Sequence, residues 1–275
     1  MNKIFNRYTL AALVAGMCLA GNAFATNGYF TQGTGTKNKS MAGSGIALPE
    51  DSIDIANNPA VSPFIGDQLV IGAALFSPVR KYQTSDSLAN GGCSPMGCAV
   101  TIGPNSLKSD SEYFVIPHIA KSWQLNNDAA WALVFYGRGG MNTDWKGGTA
   151  TFDPTNGQSL PGTFPGTYGN GIFGGDGTAG VNLSQAFLDI NWAKKFSPHF
   201  TFGASLILAA QMFEAEGVQT FAGYTKTAAE TGDLSQVTSL SNNGTDWSWG
   251  YGLKLGMHIP FNEKVALGVM YQTKI

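Results

Sequence analysis

From Thr245 to Pro260 large apolar residues alternate with small or polar ones. Trp247, Trp249, Tyr251, Leu253, Leu255, Met257 and Ile259 share one parity, and Ser248, Gly250, Gly252, Lys254, Gly256 and His258 share the other. A period of two places each set on its own face of a strand. Strands of soluble sheets are typically about 5 to 6 residues long, so an alternation this long predicts a strand with lipid on one face and a lumen on the other. His199 to Phe213 repeats the pattern, and Val265 to Tyr271 repeats it in shorter form. Gln68 to Ser77, Ser111 to Trp123, Ala129 to Arg138 and Leu183 to Phe196 carry weaker versions, which makes seven candidate strands.

The connections alternate too. Asn126-Asn127-Asp128, Ser197-Pro198-His199 and Phe261-Asn262-Glu263 read as tight turns, whereas the intervening loops are long. Short turns on one side and long loops on the other are the two faces of an outer-membrane barrel. Trp123, Trp192, Phe196 and Phe261 fall at the short-turn ends, where an aromatic girdle would sit. The segment Lys264 to Ile275 reads as a strand with no turn or partner after it, so the chain is expected to be truncated. An open strand edge leaves backbone groups that lipid cannot satisfy.

Composition narrows the class. Charged residues make up 12% of the chain, about half the share in an ordinary soluble domain. Beyond the N-terminus there is still no apolar stretch long enough for a membrane helix. A formal charge of −2 provides no basic footprint for nucleic acid. At the N-terminus, Lys3 and Arg7, the apolar run Tyr8 to Ala20 and then Ala23-Phe24-Ala25 form the three regions of a secretory signal, so residues 1–25 are expected to be removed.

Residues 26–66 do not alternate. They are small, polar and Gly-rich, and contain Ser40-Met41-Ala42-Gly43-Ser44-Gly45, then Asp51, then Asn58-Pro59-Ala60 just ahead of the first strand. This arrangement resembles the N-terminal hatch of the FadL/TodX family of outer-membrane transporters of long-chain fatty acids and other hydrophobic compounds. The resemblance implies an all-β fold: a transmembrane antiparallel β-barrel of about fourteen strands, within the range of outer-membrane barrels, plugged by the hatch. Residues 67–275 would then form the N-terminal half of that barrel. It also implies the cell outer membrane as location, membrane lipids and the barrel-assembly machinery as partners, and a porin-like monomer without cofactor. Asp51, Asn58, Pro59 and Ala60 become the hatch motif, although turn capping alone would also place Asn and Asp there.

Carrying an amphiphile requires an apolar path and a cation for its head group. Arg138 and Lys254 lie on the lumen parity of their strands and are the candidates. The resemblance implies a kink in the third strand that opens a lateral exit. That strand runs into Gly137, Gly139 and Gly140, and glycine weakens a ladder and permits a bulge. The loop between Met141 and Asn182 carries Phe164, Tyr168 and Phe173, which in family terms form a docking groove. Cys93 and Cys98, in an oxidising compartment, are expected to pair. The three histidines lie on or beside separate strands, so no metal site is expected, and nothing resembles a catalytic constellation. An outer-membrane lipase or protease barrel and an adhesin-like barrel remain alternatives. The first needs a Ser or Asp with a His at the outer rim, whereas His199 and His258 fall towards the short-turn side, and the second does not account for a hatch.

Overall fold

The structure is a computed structural model and describes residues 30–85, 100–102, 104–147, 150–152, 178–218, 225–233 and 240–275. The expected signal segment, Cys93, Cys98, Phe164, Tyr168 and Phe173 lie outside them. The strands are β1 (Gln68–Phe76), β2 (Lys81–Thr84), β3 (Val100–Ile102), β4 (Asn105–Lys108), β5 (Phe114–Gln124), β6 (Ala129–Lys146), β7 (Ala150–Phe152), β8 (Thr178–Ser197), β9 (Phe200–Glu216), β10 (Asp246–Asn262) and β11 (Val265–Gln272). All seven candidate strands form, and they make one antiparallel half-barrel in the order β1-β5-β6-β8-β9-β10-β11. The pairs β2-β4 and β3-β7 form small separate ladders within the long connections. No described helix is long and apolar enough to cross a membrane.

The parity read from sequence is the parity of the fold. In β10, Trp249 and Tyr251 are each 79% exposed while Lys254 is 0% exposed. Three strands run further than the apolar alternation reached. β6 continues to Lys146, β8 begins at Thr178 and β9 extends to Glu216. Both ends of what reads as the loop from Met141 to Asn182 are therefore paired strand, with Met141 opposite Leu183 and Asp144 opposite Gly180. Backbone hydrogen bonding does not require the apolar alternation that lipid imposes, so polar residues such as Asn142 and Asn182 can still pair.

The segment ahead of β1 packs against the inner face. A short helix, Thr36–Ser40, is followed by two 3-10 turns, Ser52–Ala56 and Pro59–Phe64. Ile53, Ile55, Ala56 and Val61 from these turns are buried with Ala132, Val134, Tyr136 and Ile207 of the wall. Sequence makes room for the turns. Gly203 pairs directly with Gly256, and the same inward row continues through Ala193 and Ala130. A Cβ on Gly203 would lie 2.4 Å from the Pro59 carbonyl carbon, and one on Gly256 would lie 2.1 Å from Asn58 Oδ1. In β11, a Cβ on Gly268 would reach 2.7 Å from the Ile46 carbonyl oxygen. These three glycines form a shelf on which the N-terminal segment rests, by its backbone at Gly203 and Gly268 and by the Asn58 and Pro59 side chains at Gly256.

Candidate functional site

Asn58, Pro59 and Ala60 are held by three different strands. The Asn58 Nδ2 group donates to Met257 O of β10 at 3.1 Å and to Ile46 O at 2.8 Å, while its Oδ1 accepts from Ala60 N at 3.0 Å. Pro59 O accepts from Asn191 Nδ2 of β8 at 3.1 Å, and Gly203 of β9 lies against the same residue. Asn supplies one acceptor and two donors from a short side chain, and here it spends all three on closing the turn and fastening it. Asp51 caps the preceding 3-10 turn, with Lys37 Nζ at 3.8 Å from its carboxylate. Within that turn Asp54 Oδ2 accepts from the backbone N–H groups of Glu50 and Asp51, both at 3.0 Å. Burial pushes the Asp54 carboxyl up to about 6, against the pull of those two donors.

A buried charged cluster lies where the N-terminal segment meets the middle of the wall. Lys254 Nζ donates to Asp189 Oδ2 at 2.6 Å, to Tyr136 Oη at 3.2 Å and to the Ala56 carbonyl oxygen at 2.8 Å. The Tyr136 hydroxyl donates in turn to Asp189 Oδ1 at 3.4 Å. Lys254 and Asp189 are fully buried and Tyr136 is 1% exposed. An ammonium has three protons, and all three of these are taken. A ligand carboxylate reaching Lys254 would have to displace Asp189. The cluster ties β6, β8 and β10 to the N-terminal segment, and sequence reading had missed Asp189 altogether. The available signal was an acid at the inward parity of β8, the parity it shares with Phe187 and Asn191.

Arg138 is in a different position. The β6–β8 register shifts between Gly137 and Gly139, so Arg138 has no partner across from it and forms a bulge. On the other side of β6, pairing with β5 stops at His118 opposite Tyr136. The earlier part of β5, from Phe114 to Pro117, is paired with β1 alone. Proline contributes no N–H to a ladder. Beyond that point, Thr31 N donates to Arg138 O at 2.9 Å and Phe30 bridges to Gly139, so a strap from the N-terminal segment occupies part of the place a neighbouring strand would take. Gly137 still packs against Ile116, with a Cβ position 3.1 Å from its side chain, whereas Gly140 meets only the Leu183 carbonyl oxygen at 3.4 Å.

A cavity of about 350 Å³ opens beside this bulge. Phe30, Tyr136 and Phe187 supply its aromatic side, and Arg138, Gln185 and Gln211 its polar side. Tyr136 and Phe187 stack at 5.5 Å, and the Arg138 guanidinium lies 6.0 Å from the centre of the Phe30 ring. Gln185 donates to Gln211, which donates to Ser248, so a ladder of hydrogen bonds lines one wall. The structure therefore brings Arg138, Gly137, Gly139 and the cavity together, and sets Lys254 below them in the fastening of the N-terminal segment. Among the described residues no cluster of His, Cys, Asp and Glu could hold a metal.

No family model and no curated protein sequence matches the chain. Solved structures do. A monoaromatic hydrocarbon channel, CymD, is 14% identical over 88% of this chain and 53% of its own length, with a TM-score of 0.50. A FadL homologue from Pseudomonas aeruginosa is 14% identical over 88% of this chain and 52% of its own, with a TM-score of 0.51. The chain thus spans about half the length of the channels it matches. Its fold is that of the FadL-type channels, and the resemblance carried by the small-residue run and Asn58-Pro59-Ala60 holds at the level of fold.

Proposed function

We propose that the barrel to which this chain belongs carries hydrophobic molecules, long-chain fatty acids among them, inward across the outer membrane of a Gram-negative cell. The molecule binds in the cavity beside Arg138, the hatch of residues 26–66 shifts, and the molecule leaves sideways through the wall at Gly137, Gly139 and Gly140. The observation that carries this reading is the parting of β5 and β6 above Tyr136 while β6 stays paired with β8. A wall paired throughout would leave no way out between strands, because each backbone group would bond to its neighbour. The barrel works as a monomer, with membrane lipids around it and the assembly machinery as the partner that inserts it.

Replacing both Gly139 and Gly140 by Val should straighten β6, since β-branching favours regular extended strand. In the whole transporter this variant should assemble with normal heat-modifiable mobility and lose most uptake of radiolabelled oleate in a deletion strain. Wild-type uptake by a normally assembled variant would eliminate the sideways route.

Arg138 is the head-group cation in this reading, because its guanidinium lines the cavity whereas the Lys254 ammonium is already saturated. A hydrogen bond to a charged group contributes about 1.5–3 kcal/mol. Arg138→Gln should therefore weaken oleate binding by roughly ten- to a hundredfold, at about 1.4 kcal/mol per decade, and leave binding of an uncharged alkane nearly unchanged. Equal losses for the two ligands would assign Arg138 to the structure of the bulge alone.

A further inference from the structure

The outward face of the sheet is nearly free of charge. Four cross-strand rows start at Tyr251, Leu253, Leu255 and Met257 in β10 and run back through β9, β8 and β6. Three of them continue into β5. In these rows the charged residues are Lys121 and Lys194, both cations, with no acid beside them. Between the two lysines lies a row of three tryptophans on consecutive strands, Trp123 opposite Trp131 and Trp131 opposite Trp192. Lys121 stands one row further from the short turns than the tryptophans, and Lys194 one row nearer.

Neither lysine makes an ion pair with a described residue. Each is turned towards the short-turn side. Lys121 Nζ lies 5.7 Å from the centre of the Trp123 ring, and Lys194 Nζ lies 5.7 Å from that of Phe196. A lysine on a lipid-facing strand is costly in the hydrocarbon and tolerated near the interface. It reaches the interface by laying its stem along apolar surface and lifting the ammonium to the head groups. Indole rings prefer the same depth and carry an N–H donor. Two cations without a protein anion, flanking three donors at the boundary, complement a phosphate better than a zwitterion, which brings its own ammonium.

We propose that Lys121 and Lys194, with the Trp123, Trp131 and Trp192 row between them, bind the phosphates of anionic phospholipids in the periplasmic leaflet. The site is independent of what the lumen carries and rests only on the sheet facing lipid. Tryptophan emission of the bilayer-inserted protein, titrated with brominated phosphatidylglycerol or brominated phosphatidylcholine, tests it directly. The phosphatidylglycerol should quench at a several-fold lower bilayer fraction. That preference should vanish in Lys121→Gln/Lys194→Gln and survive in Lys121→Arg/Lys194→Arg. Equal quenching of the native protein by the two lipids overturns the proposal, as does a preference that persists in the Gln pair. If the Gln pair fails to assemble, the native protein's preference for phosphatidylglycerol decides. Absence of quenching by either lipid would instead reject the membrane reading itself.

Discussion

Gly203→Val should unseat the hatch while leaving the sheet paired. A Cβ at position 203 would stand 2.4 Å from the carbonyl carbon of Pro59, 2.5 Å from its oxygen and 2.6 Å from Ala60 N. These are backbone atoms, held in turn by Asn191 and by Asn58, so they cannot swing aside as the end of a long side chain would. Overpacking a filled interior costs about 1–3 kcal/mol. A clash with fixed backbone belongs at the upper end, which at about 1.4 kcal/mol per decade moves the seated population by roughly a hundredfold. The strand itself should gain, since valine suits β structure and glycine does not. Limited proteolysis of the assembled barrel is the measurement. Residues 30–66 should become cleavable in Gly203→Val while heat-modifiable mobility stays normal. A hatch that remains resistant would mean that its backbone is not seated on this glycine.

Lys254→Met should be the most damaging single change in the wall. It removes three hydrogen bonds at once and leaves the Asp189 carboxylate buried without a counterion. Breaking one side of a buried pair costs about 3–5 kcal/mol, whereas replacing both partners by apolar groups is often neutral. The double variant Asp189→Leu/Lys254→Met should therefore recover much of what the single variant loses in urea-unfolding midpoint. It should not recover hatch retention, because the bond to the Ala56 carbonyl oxygen is gone in both. A double variant as unstable as the single one would show that desolvation of Asp189 is not what the lysine offsets.

The strands and their two faces were legible because the outward face is apolar at nearly every second position, and Trp247 to Ile259 keeps to this without interruption. The N-terminal segment was legible by contrast, as the stretch where the alternation lapses into glycine and small polar residues. The inward parity of Lys254 could also be read in the same way.

What the linear pattern could not contain is pairing between elements far apart in the chain. Lys254 reads as a free lumen cation until β8 brings Asp189 beside it and the hatch brings the Ala56 carbonyl oxygen. Arg138 shares the parity of Ala132 and Val134 in sequence, yet its position follows from a register shift against β8. A bulge is a property of two strands, and neither strand encodes it alone. The extension of β6 to Lys146 was hidden for a related reason. Its last residues are mostly polar and are held by backbone hydrogen bonds to β8 and to Asp110, and hydrogen bonds between backbones leave no mark on side-chain alternation. Sequence alone determined which residues face outward, because that is a demand on each position separately. Tertiary structure decided which charges are neutralised, where the wall parts and what the glycines accommodate, because each of these depends on distances between residues that the chain order keeps apart.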